Sequence, residues 1–315
     1  MGTLPNVVDA IVGQTYTDAT LKLIDNASTD GVISYIRDRA PRATVIKNAR
    51  DIGTAQAQNQ AIRLALQGWG GSELDQKFVL FLENDITMEP NTLRELVRAL
   101  EHDRELGAVG GKILRMFDEN IQDEALHERV QSDHIDSVGL KLTSALKLVP
   151  RGAGEVDQEQ YDFSRVVFAV PGAMMLVRAS ALQDVRHSDE EYLDKDFVTG
   201  REHEDLSWRL QNMGWRIEFV PTAIAYKYRG IYQGGDIVRD RYDSRMDRNE
   251  LMMLAKNAPM AYLAFRAPSI ALSRFASFPS ALVQSLRHVG KMAKKRKDIF
   301  ANRRIGNGAI REMIS

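Results

Sequence analysis

Residues 77–90 read KFVLFLENDITMEP. Five successive apolar residues, Phe78 to Leu82, leave no polar face, so a strand built from them needs cover on both sides. A half-solvated antiparallel sheet does not provide that cover; helices packed on both faces of a sheet do. The run then stops on Glu83 and Asp85, which the strand's period of two puts on the same side. Two carboxylates so close repel each other unless a cation sits with them. The candidates are a divalent metal ion and a cationic side chain.

The first two thirds of the chain supply the remaining layers. ATLKLIDNAST (19–29) and ATVIKNARDIG (43–53) read as short strands ending in polar turns. AQAQNQAIRLALQ (55–67) sets Ala57, Ala61, Ile62 and Ala65 on one helical face, and Leu93, Leu96, Val97 and Leu100 repeat that spacing after Pro90. LGAVGGKIL (106–114) reads as another strand. This alternation predicts an α/β fold with a mostly parallel, Rossmann-like sheet and flanking helices, whose ligands bind at the strands' carboxyl ends. Glu83 and Asp85 lie at such an end. From about Met116 to Ser164 the periodicity fades into charge, and a mobile stretch is expected there. Order returns with RVVFAVPGAMMLVRASAL (165–182), then an acidic segment whose Leu206, Leu210 and Met213 stripe stops at Gly214, then a strand through Ile217 and Phe219.

After about Arg241 only helical patterning remains, which divides the chain into an α/β domain over 1–240 and a helical basic region over 241–315. From Lys256 onward there are 12 Lys+Arg against Asp298 and Glu312, leaving 30 Lys+Arg against 41 Asp+Glu in the rest. The body is acidic and the tail basic. KMAKKRK has no interleaved aromatics and no recognition motif, so nucleic acid is not expected as a partner. A membrane surface fits better, with 251–286 in the interface and 287–304 against anionic headgroups at about 1 kcal/mol per basic residue. The competing reading packs these helices on the body with a solvated basic face. No basic-then-apolar leader opens the sequence and no run approaches about 18 apolar residues, so neither a signal peptide nor a spanning helix is expected. The chain contains no cysteine, which excludes disulfides, thiolate metal sites and a cysteine nucleophile. The expected location is cytoplasmic, peripheral on the inner face of the plasma membrane.

Five segments together resemble glycosyltransferase family 2, the inverting enzymes of the GT-A nucleotide-sugar fold. LIDNASTDG resembles the family's second strand and turn, and the resemblance implies that Asp25 contacts the nucleotide base. NARDIGTAQAQNQAI resembles the loop along the nucleotide, carried here by Asn48, Gly53 and Asn59. FLENDI stands at the family's acidic metal motif: Asp85 matches the Asp that binds Mg²⁺ or Mn²⁺ on the sugar diphosphate, Glu83 takes the first acidic place and Asn84 lies between them. VPGAMMLVR resembles the segment lining the sugar and acceptor pocket at Gly172 and Ala173. EHEDLSWRLQNMGWRIEFVPTA resembles the block that carries the general base, which here is Glu202, His203 or Asp205 according to alignment. Taken singly, each has a plainer reading; DNASTDG, for example, is good Asx-turn sequence.

Three departures stand out. The family's base is the Asp of a Glu-Asp pair, where this chain aligned without gaps has Glu202 and then His203, and a slip of two residues makes Glu204–Asp205 the pair. Lys227 occupies the place of a His that in the family reaches the metal or diphosphate; a protonated lysine neutralises phosphate but cannot ligate a metal. NVVDAIVGQTY resembles the helix after the family's first strand, so that strand is expected to be missing. The resemblance implies transfer of a hexosyl or rhamnosyl group from a UDP-, dTDP- or GDP-linked donor to a glycan or lipid-linked acceptor, in surface-polysaccharide synthesis. The alternative is a catalytically impaired relative that binds membrane or glycan as a partner protein.

Overall fold

The structure is a computed structural model that describes residues 2–120, 127–188, 191–231, 244–273, 283–285, 287–306 and 308. In chain order the first elements are α1 (Leu4–Val12), β1 (Lys22–Asp25), α2 (Val32–Arg39), β2 (Thr44–Lys47), α3 (Thr54–Gln67), β3 (Phe78–Leu82), β4 (Ile86–Met88) and α4 (Thr92–His102). There follow β5 (Leu106–Asn120), β6 (His127–Ser137), β7 (Leu140–Leu142), β8 (Leu148–Pro150), β9 (Arg165–Val166), β10 (Met174–Arg178) and α5 (Ala179–Asp184). Then come α6 (Glu202–Asn212), β11 (Arg216–Ile231), α7 (Ser244–Asn257), α8 (Met260–Ser273) and α9 (Val289–Asn302). The proposed boundary at 240/241 falls outside the described residues.

The apolar run becomes β3, an edge of a seven-stranded sheet in the order β3-β10-β5-β11-β4, with β6 on β5 and β9 on β11. All five residues of β10 are buried, as a strand covered on both faces requires. Helix α4 seals one side with Leu93, Leu96, Val97 and Leu100, the stripe that its spacing predicts. On the other side Ile62 and Leu66 of α3 pack in one cluster with Leu206 and Leu210 of α6 and with Phe81, Val177 and Phe219 of the sheet.

The α/β, helix-covered architecture stands, but the sheet is mixed rather than mostly parallel. β1 with β2 and β5 with β11 are parallel, whereas β10 runs antiparallel to both β3 and β5, and β11 runs antiparallel to β4. The cause lies in residues 116–164. Where it is described, that stretch forms paired strands: β5 continues to Asn120 and pairs antiparallel with β6, and β7 with β8 forms a hairpin. The long connection returns the chain as β10 in the opposite direction. Its polar composition hides Leu140, Leu142, Leu146 and Leu148, which are buried in one cluster with Phe168 and Trp208, and an ion cluster in which Lys112 Nζ reaches Asp157 at 2.6 Å and Asp162 at 2.5 Å. Among the described residues β1 pairs with β2 alone and β3 with β10 alone, so the nucleotide-side pair is a separate sheet.

At the centre β5 and β11 approach so closely that a Cβ on Gly111 would sit 1.9 Å from the Ala223 carbonyl oxygen, beside the register shift between Val220 and Ile224. Only glycine fits there.

The C-terminal helices pack on this body. Met252, Met253 and Leu254 of α7 and Met292 of α9 join Phe168, Phe197 and Trp208 in one cluster. The junction is also ionic. The Lys256 ammonium donates to Asp194 at 2.5 Å and to Asp205 at 2.8 Å, and all three side chains are fully buried. Lys295 of α9 reaches Asp194, Glu191 and Asp196, and Lys291 reaches Asp196. Three lysines of the basic tail, Lys256, Lys291 and Lys295, are therefore spent on the body. Removing one partner of a buried ion pair strands the other charge. Lys256→Met is expected to lower unfolding free energy by about 3–5 kcal/mol, measured by urea denaturation followed by far-UV circular dichroism.

Candidate active site

The three residues between β3 and β4 cross from one strand to another. The Glu83 N–H donates to Ala173 O at 3.0 Å, extending the β3–β10 ladder, and the Tyr228 N–H donates to Asp85 O at 2.9 Å, joining β11. Glu83, Asp85, the Gly172–Ala173 turn and Lys227 are thus brought together by backbone pairing, not by side-chain chance. Asn84, between the carboxylates, is exposed, and its carbonyl accepts from Thr3 Oγ1 at 2.7 Å.

The cation beside the carboxylates is the chain's own. Lys227 Nζ lies 2.7 Å from Glu83 Oε2 and 3.8 Å from Asp85 Oδ2. Burial works to discharge this ammonium, but the Coulomb attraction of Glu83 and Asp85 outweighs it and holds the lysine above its usual range. Burial raises Asp85 despite the opposing pull of Lys227, and its buried Oδ1 has no hydrogen-bond partner. Arg229, two residues along the same strand face, makes a bidentate pair with Asp136 at 2.8 and 2.9 Å, which also draws in Arg115 at 3.6 Å. Arg115 is the register partner of Lys227 on β5. Asp136 and Arg115 lay in or beside the stretch expected to be mobile; the alternation in YKYRG was the available signal for Arg229.

Helix α6 supplies the three candidate bases, and the structure separates them. Asp205 is fully buried and spent: it accepts from Arg209 Nε at 2.9 Å, Lys256 Nζ at 2.8 Å and Asn257 Nδ2 at 2.7 Å. That corrects its place among the candidates, since a carboxylate so paired has no room for a substrate proton. His203 lies edge-on to the Phe81 ring at 5.0 Å, and its buried Nε2 has no partner. Its ring rests on Gly172, where a Cβ would lie 2.0 Å from His203 Nδ1. Glu202 is 3% exposed with Oε2 unpartnered, and its carboxyl is raised chiefly by burial, with Glu83 also contributing repulsion across the site. Glu202 therefore lies within electrostatic reach of Glu83.

On the nucleotide side, Asp25 accepts from the Ser28 N–H at 2.8 Å through Oδ1, as an Asx turn does, and keeps Oδ2 buried and unpartnered. Asn48 bonds Asn26 Oδ1 and Gln60 Oε1, each at 3.1 Å. Gly53, at φ +83°, lies against Val198, whose carbonyl accepts from the Ala55 N–H at 3.0 Å. Asn59 is held structurally: its side chain clamps the backbone of Tyr192 and Leu193 through three buried hydrogen bonds of 2.8–3.0 Å, a role separate from the expected nucleotide contact.

Two acidic clusters have the look of divalent-metal sites, and a lysine sits in each. His187, Asp194 and Asp205 place one ligand atom apiece within 4.8 Å of one another, a spacing that could hold a metal. The Lys256 ammonium stands among them, 3.2 Å from His187 Nε2. Burial, with Lys256 and Arg209, keeps His187 well below its ordinary value, so the neutral ring accepts from the lysine. At Glu83 and Asp85 the Lys227 ammonium engages Glu83 Oε2 and cannot itself coordinate, so a Mg²⁺ or Mn²⁺ on the remaining carboxylate oxygens would share the site with a resident cation. Unit charges 4 Å apart repel by about 4 kcal/mol at an effective dielectric of about 20, and a divalent ion doubles that. The residues present do not fit a resident divalent ion at either cluster. A cavity of about 530 Å³ opens near the start of β11, between Arg151, Arg165, Trp215 and Ile305, and shares no residue with either cluster.

Residues 2–184 match the family model described as Glycosyl transferase family 2. No curated protein matches the chain. Among solved structures, GalNAc-T7 with UDP, GalNAc and Mn²⁺ is similar at a TM-score of 0.68 and 15% identity, over 99% of this chain and 54% of that one. S. aureus TarS 1–349 in complex with UDP aligns at a TM-score of 0.48 and 12% identity, over 99% of this chain and 88% of that one. The chain therefore spans about half the length of the GalNAc-T7 chain, and that likeness is one of fold. Among the described residues no helix is long and apolar enough to cross a membrane.

The contact between Gly172 and His203 is directly testable. Gly172→Ala is expected to displace the imidazole from Phe81, seen as a loss of ring-current shift on the His203 ring protons in NMR, while the circular dichroism spectrum stays unchanged.

Proposed function

The chain belongs to glycosyl transferase family 2, and from that premise we propose that it transfers a sugar from a nucleoside-diphosphate sugar to an acceptor hydroxyl with inversion at the anomeric carbon. The observation that carries this reading is Glu202: a buried carboxylate with an unsatisfied oxygen at the start of α6, raised chiefly by burial and within electrostatic reach of Glu83. A general base works best when its pKa lies near the working pH, and burial moves a carboxyl that way. Glu202 takes the acceptor's proton as the acceptor oxygen attacks the anomeric carbon. The bond from that carbon to the diphosphate oxygen breaks, and its electron pair leaves with the phosphate. One displacement gives inversion.

The nucleoside rests on the Asp25 and Asn48 side, with Gly53 letting the loop turn close to it. Asp25 Oδ2 is the open acceptor there. His203 and Gly172 form the wall beside the sugar, and Asn84 stands at the mouth. UDP, dTDP and GDP are the candidate nucleotides, and a glycan or lipid-linked acceptor of surface polysaccharide is the candidate acceptor. The exposed Met260, Phe265 and Leu272 of α8 support a peripheral contact with a membrane surface, and Lys291 and Lys295, engaged by the body, count against the whole basic tail serving it.

Glu202→Gln tests the assignment. Turnover of UDP-, dTDP- and GDP-linked sugars is expected to fall about 10²- to 10⁴-fold while donor affinity holds; unchanged turnover would place the base elsewhere. In the wild type the rate is expected to decline as pH falls through the raised Glu202 value, which lies above the ordinary glutamate value of about 4.3. The stability effect has the opposite sign. The folded state holds this proton more tightly than the unfolded state does, so ionisation costs stability as pH rises through the raised value, and the penalty is complete above it. Glu202→Gln is therefore expected to melt at a higher temperature than wild type at neutral pH, trading activity for stability.

A further inference from the structure

We infer that Lys227 is the counter-charge for the departing diphosphate, so that this chain binds donor and transfers sugar without a divalent cation. The inference rests on the transferase reading. It begins from what occupies the space between the two carboxylates: an ammonium on β11, 16% exposed, fixed by backbone pairing of its strand with β4 and with the Asp85 carbonyl. An ammonium has three donors. Glu83 takes one at 2.7 Å, while Asp85 at 3.8 Å lies beyond hydrogen-bond distance, which leaves donor capacity beyond the Glu83 bond. Glu83 is the more exposed carboxylate, at 43%, and is free to give way to a phosphate oxygen.

The neighbours reinforce this. Arg229 lies on the same face of β11 and Arg115 across the ladder, so three cations line one patch. Like charges facing each other across strands are unfavourable unless anions intervene. Asp136 holds the two arginines together. Glu83 and Asp85 then serve to keep Lys227 charged and aimed, and the unpartnered Asp85 Oδ1 is left to accept a sugar hydroxyl.

In the step itself, the acceptor oxygen forms the new bond to the anomeric carbon and its proton passes to Glu202. The bond between that carbon and the β-phosphate oxygen breaks, and the electron pair goes to that oxygen. Lys227 donates a hydrogen bond to it and keeps its own protons throughout. The products are the glycosylated acceptor and the nucleoside diphosphate; no oxidant or further reactant enters. Such a donor acts most strongly where charge develops, in a site that is partly closed to water.

The test is calorimetric titration of the full chain with UDP, dTDP and GDP, and with the matching monophosphates, once in EDTA and once with Mn²⁺. At least one diphosphate is expected to bind within about threefold as tightly in EDTA as with Mn²⁺. Lys227→Gln is expected to weaken that diphosphate by about tenfold or more, with little effect on the monophosphate, and Lys227→Arg to retain it. A lysine that merely balances its two acids would leave the diphosphate and monophosphate equally affected, which would overturn the inference. So would wild-type binding that appears only with Mn²⁺, a result that needs no variant to fold and that leaves the transferase reading standing. If no nucleotide binds under either condition, the transferase reading falls and this inference falls with it.

Discussion

The Lys256 ammonium, buried between Asp194 and Asp205, is the interaction on which the site's geometry depends. It joins three segments far apart in sequence: the 194–201 loop, the start of α6 and the C-terminal helix α7. Burial alone would raise Asp194, but Lys256 and Lys295 outweigh it and hold that carboxyl well below its usual range. With Asp205 also bound by Arg209 and Asn257, the first turn of α6 is fixed from both sides. Glu202, three residues earlier on that helix, inherits the position. The helical tail thereby holds the start of α6, where Glu202 lies, as well as being a candidate membrane surface.

The fold was legible where one chemical signal governed it. Phe78–Leu82 had no polar face and became an edge strand packed on both faces, with Phe81 alone buried; the Leu93–Leu100 stripe became the buried face of α4. The strand direction and the 116–164 stretch were not legible, because direction depends on where a long connection returns the chain, and a two-stranded ribbon with ionic pairs reads as polar loop. Lys112 shows why: on paper it is one more charge, in the structure it closes a cluster with Asp157 and Asp162. Asp136 was hidden in the same way.

Within the site, the sequence located the right neighbourhood and left its chemistry open. Glu202, His203 and Asp205 stood together in every alignment, and only burial and partners tell them apart. The same holds for the two acidic clusters. Paired carboxylates announce a cation without saying which, and the cation here comes from residues 142 positions after Asp85 and 62 after Asp194 along the chain, distances no local motif spans. A buried lysine with two carboxylates presents the same acidic pattern in sequence as a metal site does.

What joins the nucleotide side to the base is a strained loop. Val198 at φ 64° and Arg201 at φ 69° occupy left-handed backbone that costs about 1–3 kcal/mol each for residues of their kind. The loop is held there by Asn249, whose Nδ2 reaches the carbonyls of Phe197, Thr199 and Gly200 at 2.7–3.0 Å, and by Arg201 with Glu204 at 3.0 Å. On its other side the Val198 carbonyl caps the start of α3, and Thr199 meets Thr54. Gly53 is required at that contact, since a Cβ would lie 2.8 Å from Val198 O. The loop that would cradle a nucleoside and the helix that carries Glu202 thus share one rigid connection of three residues. On the proposed assignment, a nucleotide held against the Asn48–Gly53 segment would bear through this loop on the position of Glu202, with α7 holding the backbone between them in place.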